Sequence, residues 1–147
     1  MTGKISINQC ISNIAKNFDI ITSKETLIKA EYYLSRQDNA RLLLKQMLEN
    51  ITNYDFIIID CPPALGLLTQ NALAFCKEAF VPVSTDHLGY DALSKMHKVV
   101  AEVNDNYGNA IKITKVIPTL FDQRMKIGKE TLATMHTEYA QVTSSPI

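Results

Sequence analysis

Asn53–Leu73 reads NYDFIIIDCPPALGLLTQNAL, and this stretch decides the fold. Phe56, Ile57, Ile58 and Ile59 run without alternation into Asp60. Such a run predicts a strand covered on both faces, as in a parallel sheet between helices. Pro62 and Pro63 follow at once, and their fixed φ and missing N–H groups end any ladder. Asp60 is therefore expected at the carboxyl end of a buried strand, where open α/β sheets hold their ligands. A carboxylate leaving a core needs a partner, because isolated burial is costly. A metal ion would serve, and so would the backbone donors of the next helix.

Outward from this stretch, strand and helix patterns alternate. Ile7, Ile11 and Ile14 step helically behind Ser6, a capping residue type. FDII at 18–21 reads as a short strand. TSKE at 22–25 has the capping-box form, with Thr22 as cap and Glu25 as its reciprocal partner. It opens a helix carrying Leu27, Ala30, Tyr33 and Leu34. Asp38 is placed to cap another, with Leu42, Leu43, Met47, Leu48 and Ile51 on its buried side. Downstream of the strand at 56–60, a helix is predicted over about 67–77 and a strand over 79–83. A longer helix follows over about 89–105, then a strand over 111–118 and a helix over about 128–140. Alternation with helix-length connections predicts an α/β fold: a three-layer, mostly parallel sheet flanked by helices.

Composition excludes little and points to nothing global. The 147 residues suit one domain with a real core. Fifteen basic and fifteen acidic side chains cancel, so a nucleic-acid role would need a local patch. Cys10, Cys61 and Cys76 form no CxxC pair and are odd in number, which suits a reducing compartment. No apolar run approaches the ~20 residues that span a bilayer, and no membrane association is expected. His87, His97 and His136 have no acid or cysteine at a metal-binding spacing and read as structural or exposed. Asp86 and Asp91 read equally well as helix caps or as contacts of a dimer.

YDFIIIDCPPALGLLTQNAL resembles the Walker B and switch II segment of the ParA family of partition ATPases, deviant-Walker relatives of MinD. NFDIITSKETLIKAEYYL, AFVPVSTDHLGYDALSKM and KVIPTLFDQR resemble neighbouring segments of the same family. YAQVTSSPI resembles the approach to a further strand. The resemblance implies a P-loop NTPase-like fold, incomplete here: one partial ATPase domain over 1–147. The family's glycine-rich phosphate loop has no counterpart, since glycines stand apart at 3, 66, 89, 108 and 128 and Gly3-Lys4 is followed by Ile5. Without backbone N–H groups to cradle phosphates and a lysine to neutralise them, the chain alone is not expected to hydrolyse ATP. We therefore expect it to be shortened at both ends.

Carried over residue by residue, the resemblance makes Asp60 the Walker B acid, catalytic and ordering Mg2+ through its water shell. Pro62 and Pro63 fall in a segment, running to Gly66, that moves with the γ-phosphate state. Pro118 and Thr119 fall where the family approaches the adenine of ATP. Arg124, Lys126 and Lys129 are three cations in FDQRMKIGKE, by composition a solvated face. The resemblance makes them a patch for nonspecific DNA, a contact that is blind to sequence and sensitive to salt. It further implies a homodimer on ATP, a ParB-type partner, a role in plasmid or chromosome partitioning, and a cytoplasmic, nucleoid-associated location. Alternatives are a MinD-like positioning ATPase, a pseudo-ATPase acting as a binding module, and a receiver-like domain with Asp60 as its phosphorylated acid. The last lacks the early acid cluster such a domain needs.

Overall fold

In a computed structural model, which describes residues 6–24, 26–140 and 143–147, the chain divides into two units between Phe75 and Cys76. Gly3, Lys4, Glu25 and the Ala30 side chain lie outside the described residues.

The first unit departs from the helix predicted behind Ser6. Ile7–Cys10 is a single 3-10 turn, with the Ser6 N–H donating to Gln9 Oε1 at 3.3 Å. Ser12–Ala15 is then a strand, β1, antiparallel to β2, Phe18–Ile20. Asn17 between them is left-handed at φ 60°, a conformation Asn adopts more readily than most residues. Tight reversal there outweighs three apolar residues at helical spacing. Helix α1 spans Thr26–Leu34 and buries Leu34, while Tyr33 faces solvent instead of the core. A 3-10 turn, Ala40–Leu42, starts after left-handed Asn39, so Asp38 is not its cap. Helix α2, Leu43–Leu48, buries Leu48.

Helix α3, Leu67–Phe75, packs on that turn and on α2, and it buries Ala72, Leu73 and Ala74. Asn71 is wholly buried among them and fully bonded. Its Nδ2 donates to the carbonyls of Ala40 (2.8 Å) and Leu67 (3.0 Å), and its Oδ1 accepts from the Leu44 N–H (3.0 Å). A buried amide left unbonded would cost about 1–3 kcal/mol, so this position fixes how α3 meets the turn.

The predicted strand at 56–60 is not formed. The stretch has no ladder partner among the described residues, and Phe56 and Ile58 are 85% and 92% exposed. An apolar run states what a strand would bury; pairing needs a neighbour. Here β1 and β2 bond to each other, and β3 and β4, below, do the same.

The second unit is the parallel α/β layer. β3, Glu78–Ser84, and β4, Lys112–Thr119, pair in parallel from Glu78↔Lys112 to Ser84↔Thr119. Helix α4, His87–Tyr107, makes the crossover and packs on β3. Beyond β4, Thr143 bridges Val116 in parallel, and the Ser144 and Ile147 N–H groups donate to Val116 and Pro118. This extends the sheet at the segment whose sequence resembles the approach to a further strand. Helix α5, Lys126–Glu138, adds Met135 to a core of Val83, Leu93 and Val116. Asn104 closes the turn into β4, its amide both accepting from and donating to the Ile111 backbone at 3.0 and 2.9 Å. The fold is thus α/β, a parallel sheet flanked by helices.

Candidate functional site

Asp60 lies in the first unit on an exposed loop that runs through Cys61, Pro62, Pro63 and Ala64. Among the described residues no hydrogen bond or ion pair engages its carboxylate. Crowding of the Cys61 sulfur and, secondly, the adjacent Asp60 charge push that thiol up, which argues against a reactive thiolate. The loop's far end is held firmly. The Thr69 hydroxyl, in the first turn of α3, donates to the Ala64 carbonyl at 2.6 Å. From α1, Glu31 Oε1 accepts from the Leu67 N–H at 2.7 Å and the Leu68 N–H at 3.4 Å. Glu31 was not singled out from the sequence: it stands thirty-six positions from Leu67, and no local spacing marks so remote a cap.

Tyr54, just ahead of the apolar run, donates its hydroxyl to Asp19 on β2 at 2.6 Å. That bond and one from Asn13 Nδ2 (2.7 Å) hold the Asp19 carboxyl below its ordinary range, and the Tyr54 phenol is correspondingly raised.

In the second unit the carboxyl ends of β3 and β4 meet. The Thr85 N–H donates to the Thr119 carbonyl at 3.2 Å, and the Thr85 hydroxyl to Leu120 at 3.4 Å. Asp86 caps α4, accepting from the Gly89 N–H at 2.7 Å; this bond first, then one from Ser84, lowers its carboxyl. Of the two readings of Asp86, the cap is what the structure has. Gly89 permits the closeness, because a Cβ there would lie 2.1 Å from the Ser84 carbonyl oxygen. Pro118 is fully buried, so its ring braces the strand end and offers a ligand no surface. Thr119 is half-buried at the rim. Next to it, Leu120 is left-handed at φ 55° and 83% exposed.

Arg124 stands two residues ahead of α5, and Lys126 and Lys129 lie in its first turn. Arg124 is 90% exposed but held: its backbone N–H and Nε donate to Asp122 Oδ1 at 2.9 and 3.1 Å, and Nη2 to Oδ2 at 2.9 Å. The fork holds Asp122 below the ordinary carboxylate range and raises Arg124. Lys126 pairs with Glu130 at 3.5 Å. Lys129 is exposed and has no ion pair among the described residues. Of the histidines, His87 and His136 are exposed, while His97 stacks on the Tyr139 ring with centroids 4.7 Å apart. Its Nε2 is buried without a partner among the described residues, and burial lowers its titration.

Residues 1–113 match a family model described as an AAA domain. The chromosome-partitioning ATPase Soj of Treponema pallidum is 30% identical over 141 residues, covering 95% of this chain and 56% of that protein. The chromosome partitioning protein ParA of Myxococcus xanthus is 33% identical over 112 residues, covering 76% of this chain and 40% of that one. This chain belongs to the ParA family of partition ATPases. It spans about half the length of the curated ParA relatives it matches. Among solved structures, a cobyrinic acid a,c-diamide synthase from Mycobacterium smegmatis with bound ADP and magnesium aligns at a TM-score of 0.84 and 25% identity, over 99% of this chain and 60% of that one. Among the described residues of this ParA-family chain, no helix is long and apolar enough to cross a membrane.

Proposed function

We propose that residues 1–147 form one partial domain of a DNA-partitioning ATPase, and that Asp60 is its Walker B acid. The observation that carries this is the stretch from Tyr54 to Leu73, set in an α/β chain that resembles Soj along most of its length. An exposed carboxylate with no competing partner is free to accept hydrogen bonds from the water shell of Mg2+. That ion keeps several waters and takes few protein carboxylates. The Asp60 carboxylate fits that role, since it stands exposed on its loop and no hydrogen bond or ion pair among the described residues engages it. Mg2+, when bound with ATP, would supply positive charge against the charge carried by the phosphoryl oxygens during transfer to water. The chain's part is to place Asp60, with Pro62 and Pro63 limiting how the loop moves.

The complete gene product is read as dimerising on ATP, binding nonspecific DNA through Arg124, Lys126 and Lys129, and answering to a ParB-type partner at the nucleoid. Asp60→Ala in that product tests the reading. Mg-dependent hydrolysis should vanish while the urea midpoint hardly moves, since an exposed side chain typically contributes within about 0.5 kcal/mol. Unchanged hydrolysis would sink the assignment. The 147 residues alone should give no tight Mg-ATP isotherm by titration calorimetry.

A further inference from the structure

We propose that Glu31 is a positioning residue for the Asp60 loop, acting through the amino end of α3. This rests on the reading of Asp60 just given and extends it to a residue on another helix. The Glu31 carboxylate binds two N–H groups that no helix can satisfy internally, Leu67 and Leu68. Opposite charge at a helix amino end strengthens such bonds. Its Oε1 would lie 2.8 Å from a Cβ at position 66. A side chain at 66 would therefore displace this carboxylate, while the backbone there, whose φ is not left-handed, would accept one.

Two residues upstream, the Ala64 carbonyl is held by Thr69. Between that anchor and Asp60 stand only Cys61, Pro62 and Pro63. Four residues reach at most about 14 Å when extended, and two of these links have φ locked near −65°. Position fixed at Gly66 and Ala64 is thus passed to Asp60 with little slack. A carboxylate that must meet a metal's water shell loses effectiveness steeply when misplaced by about 1 Å.

The inference is tested in the complete gene product with Glu31→Ala, Glu31→Gln and Gly66→Ala, beside Asp60→Ala. Gly66→Ala leaves α1 intact and pushes the flexible carboxylate aside, so it serves where Glu31→Ala fails to fold. Per folded molecule, Glu31→Ala and Gly66→Ala should each lower kcat about tenfold and raise the Mg2+ needed for half-maximal rate, with KM for ATP nearly unchanged. Glu31→Gln, whose amide oxygen still accepts, should recover most of the rate. Hydrogen exchange at the Leu67 and Leu68 amides should quicken in the two Ala variants and much less in Glu31→Gln. Normal kcat per folded molecule in both Ala variants, with Asp60→Ala inactive, would overturn the role of Glu31 alone. Hydrolysis unaffected by Asp60→Ala would overturn the reading of Asp60 and this inference with it.

Discussion

The Tyr54 hydroxyl donates to Asp19 at 2.6 Å, tying the residue that introduces the apolar run to strand β2. Phe56–Ile59 has no ladder partner among the described residues, so a side-chain bond marks where this segment is fastened. Tyr54→Phe should quicken hydrogen exchange in the β1–β2 hairpin. The sign with pH follows from the lowered Asp19 carboxyl. A depressed acid contributes stability above its unfolded value of about 3.9 and loses it as pH falls through the folded value. The difference between wild type and Tyr54→Phe should therefore be full at neutral pH and shrink below about pH 4. A difference that persists undiminished at pH 2 would contradict this.

DNA binding is tested best through a pair of substitutions. Arg124 is already forked onto Asp122, so a phosphate must compete with that carboxylate. Arg124→Glu should weaken binding uniformly across sequences and reduce the salt slope by about one unit. Asp122→Asn should tighten binding by releasing the guanidinium. Filter binding or anisotropy at several salt concentrations reads both; no change in either variant returns the cluster to a solvated face.

His97 gives the molecule a second pH dependence, of opposite origin. Burial lowers its titration in the folded state, so the unfolded chain binds the proton more readily. Stability is full above the unfolded value of about 6.5 and falls as pH drops through the lowered folded one. His97→Phe keeps a ring against Tyr139 and should flatten thermal stability between about pH 7 and pH 5. An unchanged slope would assign that loss to other groups.

Gly89→Ala places a methyl 2.1 Å from a backbone oxygen. Neither Ser84 nor the first turn of α4 can yield cheaply, and we expect a loss of about 1–3 kcal/mol in urea unfolding. Weakening of the Asp86 cap should appear as faster exchange at the Gly89 amide.

Legibility from sequence followed how local each signal was. α3, β3, α4, β4 and α5 fall within a few residues of their predicted spans, because each carries its own periodicity and turn chemistry. The segment behind Ser6 departs from its helical spacing because Asn17, one residue in a left-handed turn, outweighs three isoleucines. Phe56–Ile59 departs from its pattern for another reason: a strand is a relation to a neighbour, and no residue in the run names one. As candidates, Asp60 and the cations Arg124, Lys126 and Lys129 take their roles from the resemblance, since residue type alone leaves Asp60 open between ligand and cap and the cations a solvated face. The Glu31 contact with Leu67 and Leu68 was invisible, because it depends on where α1 comes to rest against α3.

Leu120 carries a consequence for how this sequence can vary. It sits at the strand rim with φ 55°, yet most of its side chain is in water. A left-handed backbone costs a branched residue about 1–2 kcal/mol relative to its relaxed state, and little burial offsets that cost here. Glycine or asparagine should therefore be accepted more readily at this position than alanine or valine. In a library of random substitutions, fitness at residue 120 should run against hydrophobicity, while two residues back, at buried Pro118, it should run with packing. Two positions at the end of one strand would then drift under opposite rules.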